Sequence, residues 1–88
     1  MIEKSIKIVN KTGLHARPAA LLVKVAGKYK SDIILSKDGY EVNGKSIMGV
    51  MTLGAESGSI ILIRVQGEDE NEAMKALEDL MKNKFYED

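Results

Sequence analysis

The stretch GLHARPAALLVKVAG, residues 13–27, decides the fold, because the spacing of apolar residues changes period inside it. Upstream, MIEKSIKIVN places Ile2, Ile6 and Ile8 on one parity with Lys4 as the exception, the pattern of a strand over about 2 to 9 with one buried face. Asn10 to Gly13 closes it as a loop. From about Ala16, Pro18, Leu21, Leu22, Val25 and Tyr29 fall at helical spacing. Lysines 24, 28 and 30 gather where a helix C-terminus favours cations, so this segment reads as a helix that stops near Gly27. Pro18 fits its first turn, where a missing N–H costs little.

Working outward, Ile33, Ile34 and Leu35 form a short apolar run, Asp38-Gly39 supplies a turn, and a second short strand runs through Val42, giving a hairpin. Asn43-Gly44 marks another turn. Ser46 then caps a short helix over about 47 to 53, with Gly54 as its stop. GSIILIRVQG is a fourth strand, about 59 to 66, with Ile61, Ile63 and Val65 on one face and Arg64 and Gln66 on the other. Glu68, Asp69, Glu70 and Glu72 precede Ala73, Leu77, Met81 and Phe85 at four-residue spacing, with Lys82 and Lys84 late, predicting a closing amphipathic helix. The order β-α-β-β-α-β-α makes the class α+β. Because each strand has at most one strongly apolar face, the economical packing is one mostly antiparallel four-stranded sheet with all three helices on one side and water on the other.

The chain's 88 residues suffice for one domain, 1–88, and are too few for two with separate cores. Thirteen basic and thirteen acidic residues cancel, which argues against a partner held by a broad basic field, direct nucleic-acid binding included. With no cysteine and one histidine, disulfides, thiolate chemistry and a histidine-rich metal site within one chain are excluded, and neither metal nor cofactor is expected. No apolar run approaches the roughly 18 residues of a membrane span, so membrane insertion is not expected; MIEKSIKIVN alternates apolar and polar residues instead of carrying a continuous apolar signal core, and the expected compartment is the cytoplasm.

His15 falls at or next to the helix N-cap. The first-turn amides, that of Ala16 among them, and the positive end of the dipole make an anion site that favours a neutral, nucleophilic imidazole nearby. Arg17 adds a planar guanidinium suited to phosphate oxygens, and Thr12 offers a hydroxyl on the facing loop. Together these groups suit a transient phosphohistidine. On spacing alone, a lone histidine at a helix start also reads as a cap or exposed residue, and Arg17 as a surface charge. In the helix of 47 to 53, Val50 and Leu53 can face the core while Ile47, Met48 and Met51 remain for a surface patch; methionines repack cheaply against several partners.

At these two stretches the chain resembles the HPr phosphocarriers of the bacterial phosphoenolpyruvate-dependent sugar phosphotransferase system, and the resemblance runs nearly end to end. GLHARPAA, residues 13–20, is similar to the family's active-site signature, with His15 matching its phosphorylated histidine and Arg17 its phosphate-binding arginine. NGKSIMGVMTLG, residues 43–54, resembles its second signature, with Ser46 matching the regulatory serine phosphorylated in low-GC Gram-positive bacteria. The resemblance implies an open-faced β-sandwich. It implies that enzyme I, charged by phosphoenolpyruvate, phosphorylates His15 Nδ1, and that the group passes to EIIA domains of sugar permeases. It also implies Ser46 modification by an HPr kinase/phosphorylase in carbon catabolite control with a transcription-factor partner, an interface at Ala20, Ile47, Met48 and Met51, and action as a monomer and carrier instead of a stand-alone enzyme. The alternative is a co-regulator like the HPr-like protein Crh, which lacks the histidine and acts through the phosphoserine.

Overall fold

In the computed structural model, which describes residues 1–87, strands β1 (Ile2–Lys7), β2 (Asp32–Lys37), β3 (Tyr40–Asn43) and β4 (Ile60–Gln66) alternate with helices α1 (Ala16–Ala26), α2 (Ile47–Thr52) and α3 (Glu70–Lys82). The α+β order is the one the periodicity predicts. The sheet order is β1-β4-β2-β3, with every neighbouring pair antiparallel. β1 and β2 therefore run the same way with β4 between them, and α1 is the crossover that joins them. Ile6 pairs with Ile61 and Leu35 with Ile63, which aligns the apolar faces of three strands into one buried layer.

That layer receives the helices. Ile33, Leu35, Ile61, Ile63 and Val65 from the sheet meet Leu22 and Ala26 of α1, Val50 of α2 and Leu77 of α3, all buried. The outward positions Glu3, Glu41 and Arg64 stay wet and pair across the strands, with Arg64 2.9 Å from Glu41. The sheet thus has one dry face and one wet face, the open-faced sandwich that single-sided strand patterning requires.

Several ends differ from expectation. β1 stops at Lys7, since Ile8 leaves the strand to bond the Ser59 carbonyl at 2.7 Å, although its side chain stays fully buried. α1 does stop at Gly27, as expected, in right-handed geometry (φ −67°), and the turn tightens just beyond it, where the Lys28 N–H reaches the Val25 carbonyl at 3.1 Å. α3 starts at Glu70, whose carboxylate accepts from the Gly67 N–H at 3.1 Å while the Asp69 carboxylate is turned to Ser31, and it ends at Lys82. Phe85 is therefore not on α3. It lies in a separate turn, Lys84–Tyr86, at φ +54°, which still swings its ring into the core at 1% exposure. Burial alone fits the four-residue spacing, and it is satisfied by a route other than helix.

Candidate functional site

The end of the sheet where β1 finishes and β4 begins also receives the start of α1 and the C-terminus of α3. Chain direction dictates this: β1 delivers residues 8–15 there, the segment 53–59 enters β4 there, and α3, running back from the far end of β4, returns residues 83–87 to it. The loop before α1 is seated by backbone bonds, Gly58 N–H to the Ile8 carbonyl at 2.7 Å and Leu14 N–H to the Ala55 carbonyl at 2.9 Å. Leu14 plugs the core below. Gly13 must be glycine, since it has φ +68° and a Cβ there would sit 2.6 Å from the Ala55 carbonyl oxygen.

This seating aims His15 outward. His15 is the N-cap of α1 in extended geometry (φ −76°, ψ −173°); its carbonyl accepts from Ala19 N–H at 2.8 Å, while its ring makes no capping hydrogen bond. His15 is exposed, and its ring has no hydrogen-bond partner among the described residues. Around it an open depression is lined by Thr12, Ala16, Arg17 and Pro18 together with the carboxylates of Glu56 and Glu87. The structure thus brings together Thr12, Ala16 and Arg17, the three residues expected to hold a phosphate, and it adds two carboxylates from outside the motif.

Those additions change the surroundings of Thr12. The Glu87 carboxylate accepts from the Thr12 hydroxyl, from Asn10 Nδ2 at 3.0 Å and from the Lys11 backbone N–H at 3.1 Å. Chiefly through Thr12, and then Asn10, these donors hold the Glu87 carboxyl below the ordinary glutamate value. Asn10 is fully buried and also bonds the Gly13 carbonyl at 2.8 Å. Neither residue was nominated from sequence. The Asn10 signal is only a loop asparagine, and the Glu87 contact spans 77 positions.

A second depression, lined by His15, Met51, Gly54 and Ala55, continues the first toward α2. Ser46 caps α2, its hydroxyl oxygen accepting from Gly49 N–H at 3.1 Å. Val50 and Leu53 point inward, as expected, while Ile47, Met48 and Met51 stay exposed at 45%, 72% and 41%. Ala20 is exposed on the neighbouring face of α1. The two signatures therefore share one continuous surface.

A family model described as the phosphorylation site of the HPr component of the phosphotransferase system matches residues 2–83. The phosphocarrier protein HPr of Xylella fastidiosa is 51% identical over 88 residues, covering 100% of this chain and 99% of that protein. The HPr-like protein Crh of Halalkalibacterium halodurans is 53% identical over 77 residues, 88% of this chain and 92% of that one. A solved HPr from Thermoanaerobacter tengcongensis superposes with a TM-score of 0.97 at 53% identity, covering 100% of this chain and 99% of the other. An HPr dimer from the same organism matches at 0.80 and 54%, over 99% and 100%.

Fold and site define a small open-faced sandwich that presents a histidine at a helix start, the class of the phosphoryl carriers. The chain belongs to the HPr family, the phosphocarriers of the sugar phosphotransferase system.

Proposed function

We propose that His15 is the residue that carries the phosphoryl group in this chain, accepting it from enzyme I and passing it to EIIA domains. The observation that carries this reading is the uncapped, exposed His15 ring at the start of an eleven-residue helix, beside Arg17. The Nδ1 lone pair forms the N–P bond as phosphorus leaves the donor. The first-turn amides at Ala16 and Arg17, the helix dipole and the Arg17 guanidinium receive the phosphoryl oxygens. An open surface depression suits a group that must be reached in turn by a donor and an acceptor, and it fits a carrier better than a stand-alone enzyme. Ala20, Ile47, Met48 and Met51 form the docking surface, and the chain acts as a cytoplasmic monomer.

Incubation with enzyme I and labelled phosphoenolpyruvate yields acid-labile label, and His15→Ala abolishes it with an unchanged circular dichroism spectrum. Label retained in that variant overturns the assignment.

A second role belongs to Ser46. Its oxygen is an acceptor at the α2 cap, and a phosphate there would meet a helix N-terminus without unfolding the domain. Through it an HPr kinase/phosphorylase and a catabolite-control transcription factor act on the same surface. The likeness to Crh supports that role, and the presence of His15 supports a carrier that is also regulated over a co-regulator alone.

A further inference from the structure

The Glu87 carboxylate is the only acid among the described residues that accepts hydrogen bonds from the loop leading to His15. It takes three donors from three consecutive residues, Asn10, Lys11 and Thr12, and it lines the same depression as His15 and Arg17. Resting on His15 as the phosphorylation site, we propose that Glu87 is a built-in counter-anion of this loop: it holds the donors of residues 10–12 while His15 is free, and phosphorylation of His15 drives it off them.

Two physical effects act in the same direction. A phosphoryl group on His15 brings close to two negative charges into an open depression that the Glu87 carboxylate also lines, and like charges sharing one depression repel. The Thr12 hydroxyl has one proton to donate, and Glu87 now receives it. Phosphate and carboxylate thus compete for one donor. By reciprocity, whatever phosphorylation does to the carboxylate the carboxylate does to phosphorylation, so Glu87 raises the free energy of the phosphorylated state and favours onward transfer.

The charged groups that share these depressions are Lys11, Arg17 and Lys84, which favour the anion, and Glu56, which opposes it, with His15 itself as the site of modification. Glu87→Gln keeps the shape and one acceptor oxygen but removes the charge, which separates an electrostatic role from a tether.

The test has two arms. In unphosphorylated protein, the Lys11 amide resonance titrates with a midpoint below the ordinary glutamate value of about 4.3, and the titration vanishes in Glu87→Gln. At neutral pH, the equilibrium between phospho-enzyme I and the chain shifts by roughly fivefold or more toward phospho-His15 in Glu87→Gln. Phosphorylation of the wild type also moves the Lys11 amide toward its position in that variant. An unchanged equilibrium with a lowered melting temperature would mean a structural tether only and overturns the proposal, as does a Lys11 amide that stays put on phosphorylation. Absence of any label in either protein instead defeats the assignment of His15, while the Lys11 titration still reports the contact itself.

Discussion

At position 17, shape counts as much as charge. A guanidinium presents paired N–H groups in one plane, whereas an ammonium offers a point charge on a flexible stem. Arg17→Lys is therefore expected to slow phosphoryl transfer roughly tenfold, the worth of one charge-assisted hydrogen bond, in both the enzyme I and the EIIA reactions. Stopped reactions with each partner measure this, and equal rates in both would reduce Arg17 to a surface cation. The placement of His15 and Arg17 at the start of α1 was legible because helix start, proline and basic residue lie within one local stretch, whereas their roles came from the resemblance. Asn10 and Glu87 were not, because what joins them is the return of α3 to the end of the sheet where it meets the loop, a distance of 77 residues along the chain. Thr12 was nominated for a phosphate, and only the fold reveals that a carboxylate holds its hydroxyl.

At the scale of the element, α2 carries two duties on six residues: Ser46 closes its start, and its outward face is apolar. Phosphorylation of Ser46 adds about −1.5 to −2 charges beside Ile47, Met48 and Met51, so acceptance of phosphate at His15 is expected to slow without loss of the fold. Ser46→Asp, with less charge, is the weaker inhibitor of the two. Ser46→Ala removes only the contact to Gly49 N–H, at a cost of about 1 kcal/mol in stability, and keeps the transfer rate. Enzyme I-dependent rates measured beside thermal melts distinguish these outcomes: equal rates in all forms refute a shared docking surface, and slowing that tracks a collapsed melt assigns Ser46 to the cap alone. The inward and outward halves of α2 were readable because a short helix cannot bury five large apolar residues on one face. The end of α3 was not, since the spacing of Ala73, Leu77, Met81 and Phe85 records which residues are buried, and the left-handed backbone of Lys84–Tyr86 leaves no mark in that spacing.

Across the whole molecule, the opposite end of the sheet is pinned by Asp69. Its carboxylate accepts from the Ser31 hydroxyl, from the Ser31 N–H at 3.0 Å and from the Lys30 N–H at 2.8 Å, tying the turn before β2 to the start of α3. Gly67, at φ +155°, admits this approach, because a Cβ there would lie 2.5 Å from the Ser31 hydroxyl oxygen. The Ser31 hydroxyl first, then the Lys30 amide, lowers the Asp69 pKa below the ordinary value. A depressed native value means that the unfolded chain binds the proton more readily. The resulting stability is complete above the unfolded-state value, about 3.9, and is lost as pH falls through the native one. Asp69→Asn is accordingly expected to lower the melting temperature at neutral pH and to shrink the further loss on acidification below about pH 4. Parallel melts across that range check it, and identical acid slopes in the two proteins would discard the linkage. The acidic run of residues 68–72 announced a helix start, but its division of labour, with Asp69 reaching across to Ser31 and Glu70 back to the Gly67 N–H, depends on a turn nearly forty positions away.

The order in which the strands lie side by side also governs what happens while the polypeptide is being made. A ribosome releases β1 first, yet among the described residues its one sheet neighbour is β4, which ends at Gln66. A nascent chain that has emerged as far as Asn43 has α1 and the β2–β3 hairpin to hand but no sheet partner for its own N-terminus. The support for Leu14 waits for Ala55, that for Ile8 waits for Ser59, and the hold on Thr12 waits for Glu87. A truncated product therefore displays the imidazole on a loop that lacks the backbone contacts of Ile8 and Leu14 and the carboxylate on Thr12.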